Sequence, residues 1–260
     1  MAENGNGRRK PVDVFTLARR NLVLEIVLTA FFLGVCFALG VALIVHSIWI
    51  SKSVEEYAAG VYIVSSMVLF HLSEFIVAAV CGRGDTHPSA FMLFHSWEYT
   101  AAMVAAWLEF AVEALFIPEN WKLSENSQFY FLFRLNSTTA SVAGILTVLF
   151  YMVRVCAMLQ CGTNFSLVIE TERRDCHVLV DSGIYGVLRH PAYFGFFWKS
   201  VASQVVLANP ICLVVHSLML LKFFKERIAY EEYLLMREDF FGERYKAYKE
   251  RTWVGIPFVS

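Results

Sequence analysis

Between His177 and Trp198 the chain reads HVLVDSGIYGVLRHPAYFGFFW, which gathers two His, an Arg, three Gly, a Pro and two Tyr where a polar segment meets a long apolar run. Pro191 suits the first turn of a helix, and Gly183 permits a tight turn before it. A loop feeding a helix N-terminus offers backbone N–H groups to an anionic ligand group. Arg189, His190, Tyr185 and Tyr193 would frame such a site. The same residues also suit an interfacial anchor at headgroup level, and spacing alone leaves both readings open.

A second constellation lies downstream. Arg227 and Glu231 are four residues apart, on one helical face, with Glu232 beside them. Spacing alone allows either a functional cluster or a solvated surface pair worth about 0.3–0.5 kcal/mol. A third set is ionisable and sits inside apolar runs: Glu25, Glu74, Glu98, Glu109, Glu113, Arg134, Arg154 and Lys199. Each must face protein, water or a headgroup, because charge in hydrocarbon is costly. Arg154 lies in an apolar helix running toward the polar 160–190 segment, where it could meet an anion from the membrane side. Glu109 and Glu113 share a face and read as groups near a membrane surface.

The elements that position these groups are membrane spans. Of 260 residues, 57% are hydrophobic and only 17% charged, whereas soluble domains are about a quarter charged. Leu22–Trp49 is long enough for one tilted helix, or for two short ones folded near Gly34–Gly40. Further apolar units are Val61–Val80, Ala90–Ile117 (again long enough to bend) and Phe129–Leu159. Ala192–Phe224 is broken at Asn209-Pro210 and reads as a helical hairpin, since proline removes a donor and disfavours helix in the residue before it. Residues 225–260 are amphipathic and charged. Basic residues at 8–20 and 222–251 flank the membrane region. By the positive-inside rule they put both termini in the cytosol, with an even number of spans. Ala2 offers no myristoylation site and the tail IPFVS no prenylation box, so spanning helices are expected to hold the protein.

Other chemistries lack their signatures. The net charge of −1 implies no nucleic-acid partner. The seven His form no HxxHH or HExxH cluster and the six Cys no zinc spacing, so no metal is expected. There is no GxGxxG or GxSxG.

Taken together, HxLV–x2–G–x–Y–x3–RHP–x–Y–x–G–x2–W, the downstream R–x3–E, TNF at 163–165, NPIC at 209–212 and the GIPF ending resemble the isoprenylcysteine carboxyl methyltransferase family, over most of residues 130–258. The resemblance implies an all-α integral membrane protein of six to eight spans, eight being the animal form, with a cytosolic cofactor-binding cap. It divides the chain into a basic N-terminus (1–20), N-terminal spans (21–128) and a catalytic region (129–260). That region comprises a cofactor loop at 160–195, the hairpin at 192–224 and cytosolic helices at 225–260. The implied reaction moves methyl from S-adenosylmethionine to the C-terminal carboxylate of a prenylated cysteine in Ras-like and other CaaX proteins, leaving S-adenosylhomocysteine. The implied location is the endoplasmic reticulum membrane, with lipid contacts and the site facing the cytosol. Glu170, His177, Val178, Leu179, Val180, Tyr185, His190, Pro191, Ala192, Tyr193 and Glu231 match cofactor-contacting positions. Arg227 matches a substrate-contacting one, and Arg154 is added as a second arm of the carboxylate clamp. The competing expectations are a phospholipid N-methyltransferase, which has no use for Arg227, a nicotinamide-dependent sterol reductase, and a scaffold or channel without chemistry.

Overall fold

The computed structural model describes residues 14–81, 87–117, 134–174 and 177–259. The expectations for residues 1–13, for the CGRGDTHP turn up to residue 86, and for 118–133 lie outside the described residues. The regular structure described is helical, apart from one parallel bridge between Leu188 and Trp253.

Helix α1 spans Val14–His46 and passes into a wider π turn, Ser47–Ser51. The Leu22–Trp49 run is therefore one helix, not two. It contains no proline to break it, and its glycine at 40 serves packing. A Cβ at Gly40 would sit 3.2 Å from the Gly60 carbonyl oxygen, and one at Gly60 would sit 2.6 Å from that of Gly40. Paired small residues let backbones approach this closely in a membrane. Helix α2, Val54–Tyr62, begins after Ser53, whose hydroxyl accepts from Glu56 N at 3.1 Å. A π segment, Ile63–Val68, joins it to helix α3, Leu69–Cys81.

The run beginning at Ala90 does not make one bent helix. A 3-10 turn, Pro88–Phe91, and Met92 in the left-handed region come first, and helix α4 spans only Trp97–Phe116. Ser96 sets that start by accepting from Tyr99 N. Helix α5, Ser137–Cys161, is capped by Asn136. Helix α6, Pro191–Val206, and helix α7, Pro210–Leu235, form the hairpin expected from Asn209-Pro210. Its second arm runs on through residue 225, so the apolar hairpin and the charged tail share one helix. Helix α8, Glu243–Glu250, then folds back.

Four helical stretches are long and apolar enough to cross a membrane among the described residues: Asn21–Ser51, Val54–Cys81, Trp97–Phe116 and Ser137–Asn164. Their outer faces carry exposed Phe, Leu and Val, as a lipid-facing surface does. The protein is a multi-pass membrane protein. Interior backbone groups freed by the hairpin turn must find partners without water. Glu109 supplies them: its two carboxylate oxygens accept from Ile211 N and Cys212 N, both at 2.6 Å. Glu109 thus serves as the acceptor that the broken helix needs at its N-terminus. Asn209 adds a bond from its side-chain amide to Ala106 O at 2.8 Å.

Helices α5 and α6 form the most extensive helix pair, and Gly195 makes it possible. A Cβ there would lie 2.6 Å from Phe150 O and 2.9 Å from Arg154 N. Gly195→Ala is therefore expected to destabilise the protein by about 1–3 kcal/mol through overpacking. Gly34→Ala, with nothing within 4 Å of the added carbon, should be neutral or slightly stabilising. Thermal unfolding in detergent separates the two.

Candidate active site

The site is built at the end of the bundle where α5 terminates. Gly162 adopts a φ of +55° after α5, and the 3-10 turn Gly162–Asn164 leads out of it. Asn164 Oδ1 then accepts from Val178 N at 3.1 Å, tying the HVLV segment to the end of α5. Gln160 bridges the same two regions, donating to Ser182 O at 2.6 Å and accepting from Ile184 N at 3.1 Å. Gly183 turns there at a φ of +58°, and a Cβ on it would fall 2.2 Å from the Gln160 amide. The tight turn expected at Gly183 is present, and only glycine leaves room for Gln160.

A cleft with a cavity volume of about 140 Å3, partly open to solvent, lies between this loop, the start of α6 and the ends of α7 and α8. Glu170, His177, Val178, Leu179, Val180, Tyr185, His190, Pro191, Ala192, Tyr193 and Glu231 all line it. So the eleven positions read as cofactor-contacting are brought together in one place. Among them, Glu170 pairs with Arg174 at 3.5 Å. The ring of His177 stands edge-on to Phe240 and Phe241, with centroids 5.3 and 5.4 Å away. His190 and Tyr193 stack nearly parallel at 5.4 Å.

Arg227 and Arg154 stand outside the lining, in different ways. Arg227 Nε donates to the Tyr193 phenol oxygen at 2.9 Å, and that phenol donates to Glu231 Oε2 at 2.6 Å. Arg227 Nη2 reaches Leu167 O at 2.7 Å. Arg227 and Glu231 are therefore joined through Tyr193. Arg154 is 4% exposed, and its Nε and Nη2 donate to the two oxygens of Glu74 at 2.6 and 2.8 Å. Its Nη1 donates to Ala192 O at 3.3 Å, and Phe165 and Phe196 cover its faces.

Beneath the cleft floor lies Glu232, which the sequence sets beside the Arg227–Glu231 pair with no role of its own. Glu232, 2% exposed, accepts at Oε1 from Arg189 Nε (2.5 Å) and His190 Nε2 (3.1 Å), and pairs at Oε2 with Lys249 Nζ (2.6 Å). Arg189 also donates to Thr252 O at 2.8 Å. The signal available was the Glu231-Glu232 pair itself, since on a helix adjacent residues point to different sides. Phe240, Phe241, Tyr245 and Tyr248 extend the lining from the stretch expected to form cytosolic helices of the cap, and none of the four was among the expected site residues.

Fold and cleft define a class: a helical multi-pass membrane protein with a cleft lined by polar and aromatic side chains where α5 ends. A model of the Isoprenylcysteine carboxyl methyltransferase (ICMT) family matches residues 142–237. The protein-S-isoprenylcysteine O-methyltransferase of Xenopus laevis is 38% identical over 91% of this chain and 74% of its own length. That of Rattus norvegicus is 39% identical over 91% and 75%, and that of Saccharomyces cerevisiae 33% identical over 93% and 94%. A solved eukaryotic intramembrane Ras methyltransferase, isoprenylcysteine carboxyl methyltransferase, superposes with a TM-score of 0.73 at 32% identity, covering 88% of this chain and 74% of that one. The chain belongs to the isoprenylcysteine carboxyl methyltransferase family.

Burial alone would raise the Glu232 carboxyl, but hydrogen bonds from His190, Lys249 and Arg189 prevail and hold it at about 2, against an ordinary 4.5. A depressed carboxyl stabilises the fold above its unfolded pKa and loses that contribution as pH falls toward the folded one. At ~1.4 kcal/mol per pKa unit the contribution is about 3 kcal/mol. Acid titration of stability should show it disappearing between about pH 4.5 and 2. Glu232→Gln should be less stable at neutral pH and flatter across that window.

Proposed function

We propose that the cleft binds S-adenosylmethionine and that the protein methylates the C-terminal α-carboxylate of prenylated cysteine in Ras-like and other CaaX proteins. Family membership supports the reaction: the relatives are isoprenylcysteine O-methyltransferases. The observation that carries the cofactor reading is the convergence of all eleven expected residues on one cleft. The residues present fit the molecule. Flat rings of His177, Phe240 and Phe241 suit a purine, Glu231 suits an amino group or a ribose, and the α6 N-terminus behind His190-Pro191 suits a carboxylate. A buried Tyr245 hydroxyl without a partner adds a further donor.

When bound, the cofactor supplies an electrophilic methyl on a sulfonium. The acceptor carboxylate is already ionised at neutral pH, so the protein needs no general base. Its work is to hold one carboxylate oxygen in line and to exclude water. We assign that orientation to Arg227. Two of its N–H donors are held by Tyr193 and Leu167, which sets the plane of the guanidinium fork beside the cleft. We read Arg154 as a strut: bound on both sides by Glu74 and Ala192, it fixes α5 to α3 and to the start of α6.

The prenyl chain stays in hydrocarbon while the cofactor arrives from water, so we place the cleft at the cytosolic face, in the endoplasmic reticulum membrane. The four membrane-length stretches plus the α6–α7 hairpin supply six crossings. Protease protection in sealed microsomes should leave tags at both termini accessible; a protected C-terminal tag would remove the cleft from the cytosol.

Labelled methyl should transfer to a farnesylated cysteine analogue and not to phosphatidylethanolamine. Arg227→Lys keeps charge but loses the fork. It is expected to lower kcat/KM for the prenylcysteine about tenfold to a hundredfold, with cofactor affinity nearly unchanged. Steady-state kinetics with both substrates varied is the measurement, and a fully active Arg227→Ala would end this assignment.

A further inference from the structure

Four tyrosines line the cleft: Tyr185, Tyr193, Tyr245 and Tyr248. Three have their hydroxyls engaged. Tyr185 donates to Ala157 O at 3.2 Å, Tyr248 to Tyr185 O at 2.8 Å, and Tyr193 to Glu231. Tyr245 is different. It is 2% exposed, and its hydroxyl has no hydrogen-bond partner in the structure. A buried O–H left unpaired costs free energy that phenylalanine would avoid at the same apolar area. A hydroxyl at such a place calls for a partner that arrives from outside.

The surroundings say what kind. The ring of Tyr245 packs with Leu179, Tyr248 and Phe241, and its centroid is 5.7 Å from that of Tyr248. Leu179 is itself one of the positions read as cofactor-contacting, and Phe241 belongs to the ring set around His177. Burial, with Glu232 and Glu231 nearby, pushes the phenol well above its ordinary range, so it remains a neutral O–H donor.

We propose that Tyr245 is a further cofactor-binding residue, whose hydroxyl donates a hydrogen bond to an acceptor on the nucleoside part of the methyl donor. This rests on the reading of the cleft as the S-adenosylmethionine site. Tyr245 is among the residues that line the cleft, which places it within reach of a nucleoside bound there.

The test uses the full chain in detergent, with S-adenosylhomocysteine titrated calorimetrically and unfolding of the ligand-free protein followed by heating. Tyr245→Phe should melt at the same or a higher temperature without ligand, because it removes an unpaired group. It should bind S-adenosylhomocysteine about tenfold more weakly. Tyr248→Phe, which removes a made bond, should instead lower the ligand-free melting temperature. Unchanged affinity in Tyr245→Phe overturns the proposal and leaves the hydroxyl to solvent. A lower ligand-free melting temperature with unchanged affinity overturns it in favour of an internal partner. A wild-type protein that does not bind S-adenosylhomocysteine overturns the cofactor reading itself, and the assignment of Tyr245 with it.

Discussion

One buried carboxylate, Glu232, joins three stretches of chain that are far apart in sequence. Arg189 and His190 approach it from the loop before α6, and Lys249 from α8, while Glu232 itself rides on α7. Removing one partner from a buried ionic cluster leaves an uncompensated charge, typically costing about 3–5 kcal/mol. The cluster therefore specifies how loop, hairpin and tail sit together, and the cleft is the space that this arrangement leaves. His190 and Glu231 are its clearest beneficiaries. His190 is fixed through Glu232 and stacked on Tyr193, and Glu231, one residue earlier on the helix, is turned toward the cleft.

The apolar bundle repeats the tactic with Arg154 and Glu74. Neither group is tolerable alone in hydrocarbon, and the two-pronged bond between α5 and α3 leaves one arm of Arg154 for Ala192 O. The start of α6, where the Arg-His-Pro segment enters the helix, is thus held both by Arg154, through Ala192 O, and by Glu232, through Arg189 and His190. Gly195 belongs to the same scheme, because only a residue without a side chain lets α6 lie against the α5 backbone.

Much of this was legible in the residues. The break at Asn209-Pro210, the turn at Gly183 and the helix start at Pro191 follow from local backbone chemistry, which acts within a few residues. The eleven cleft positions came from the family resemblance, Glu170 from outside the quoted motif and the others from within it and the downstream R–x3–E. What could not be read were pairings across sequence distance. Glu74 and Arg154 are eighty residues apart, and nothing local assigns one to the other. Glu109 likewise has its partner, the open N-terminus of a helix, a hundred residues on, where no local pattern reveals the pairing. The length of α7 was misjudged for a related reason: composition changes at residue 225, but helical hydrogen bonding does not require apolar side chains to continue.

The spacing of Arg227 and Glu231 has a consequence that a surface pair lacks. Both hold the Tyr193 phenol, one as donor to its oxygen and one as acceptor of its proton. A carboxylate drawn to Arg227 competes for the guanidinium and weakens its bond to Tyr193. A cationic group placed against Glu231 draws that carboxylate away from the same phenol. On the assignment proposed for Arg227 and Glu231, the two ligands would be linked through one side chain, and such linkage is reciprocal: whatever the first does to the affinity of the second, the second does to the first. An enzyme that must bring a lipid-borne anion and a water-borne cation together at one bond benefits from a shared contact of this kind. The phenol sits at the start of α6, the point that Arg154 and Glu232 both hold.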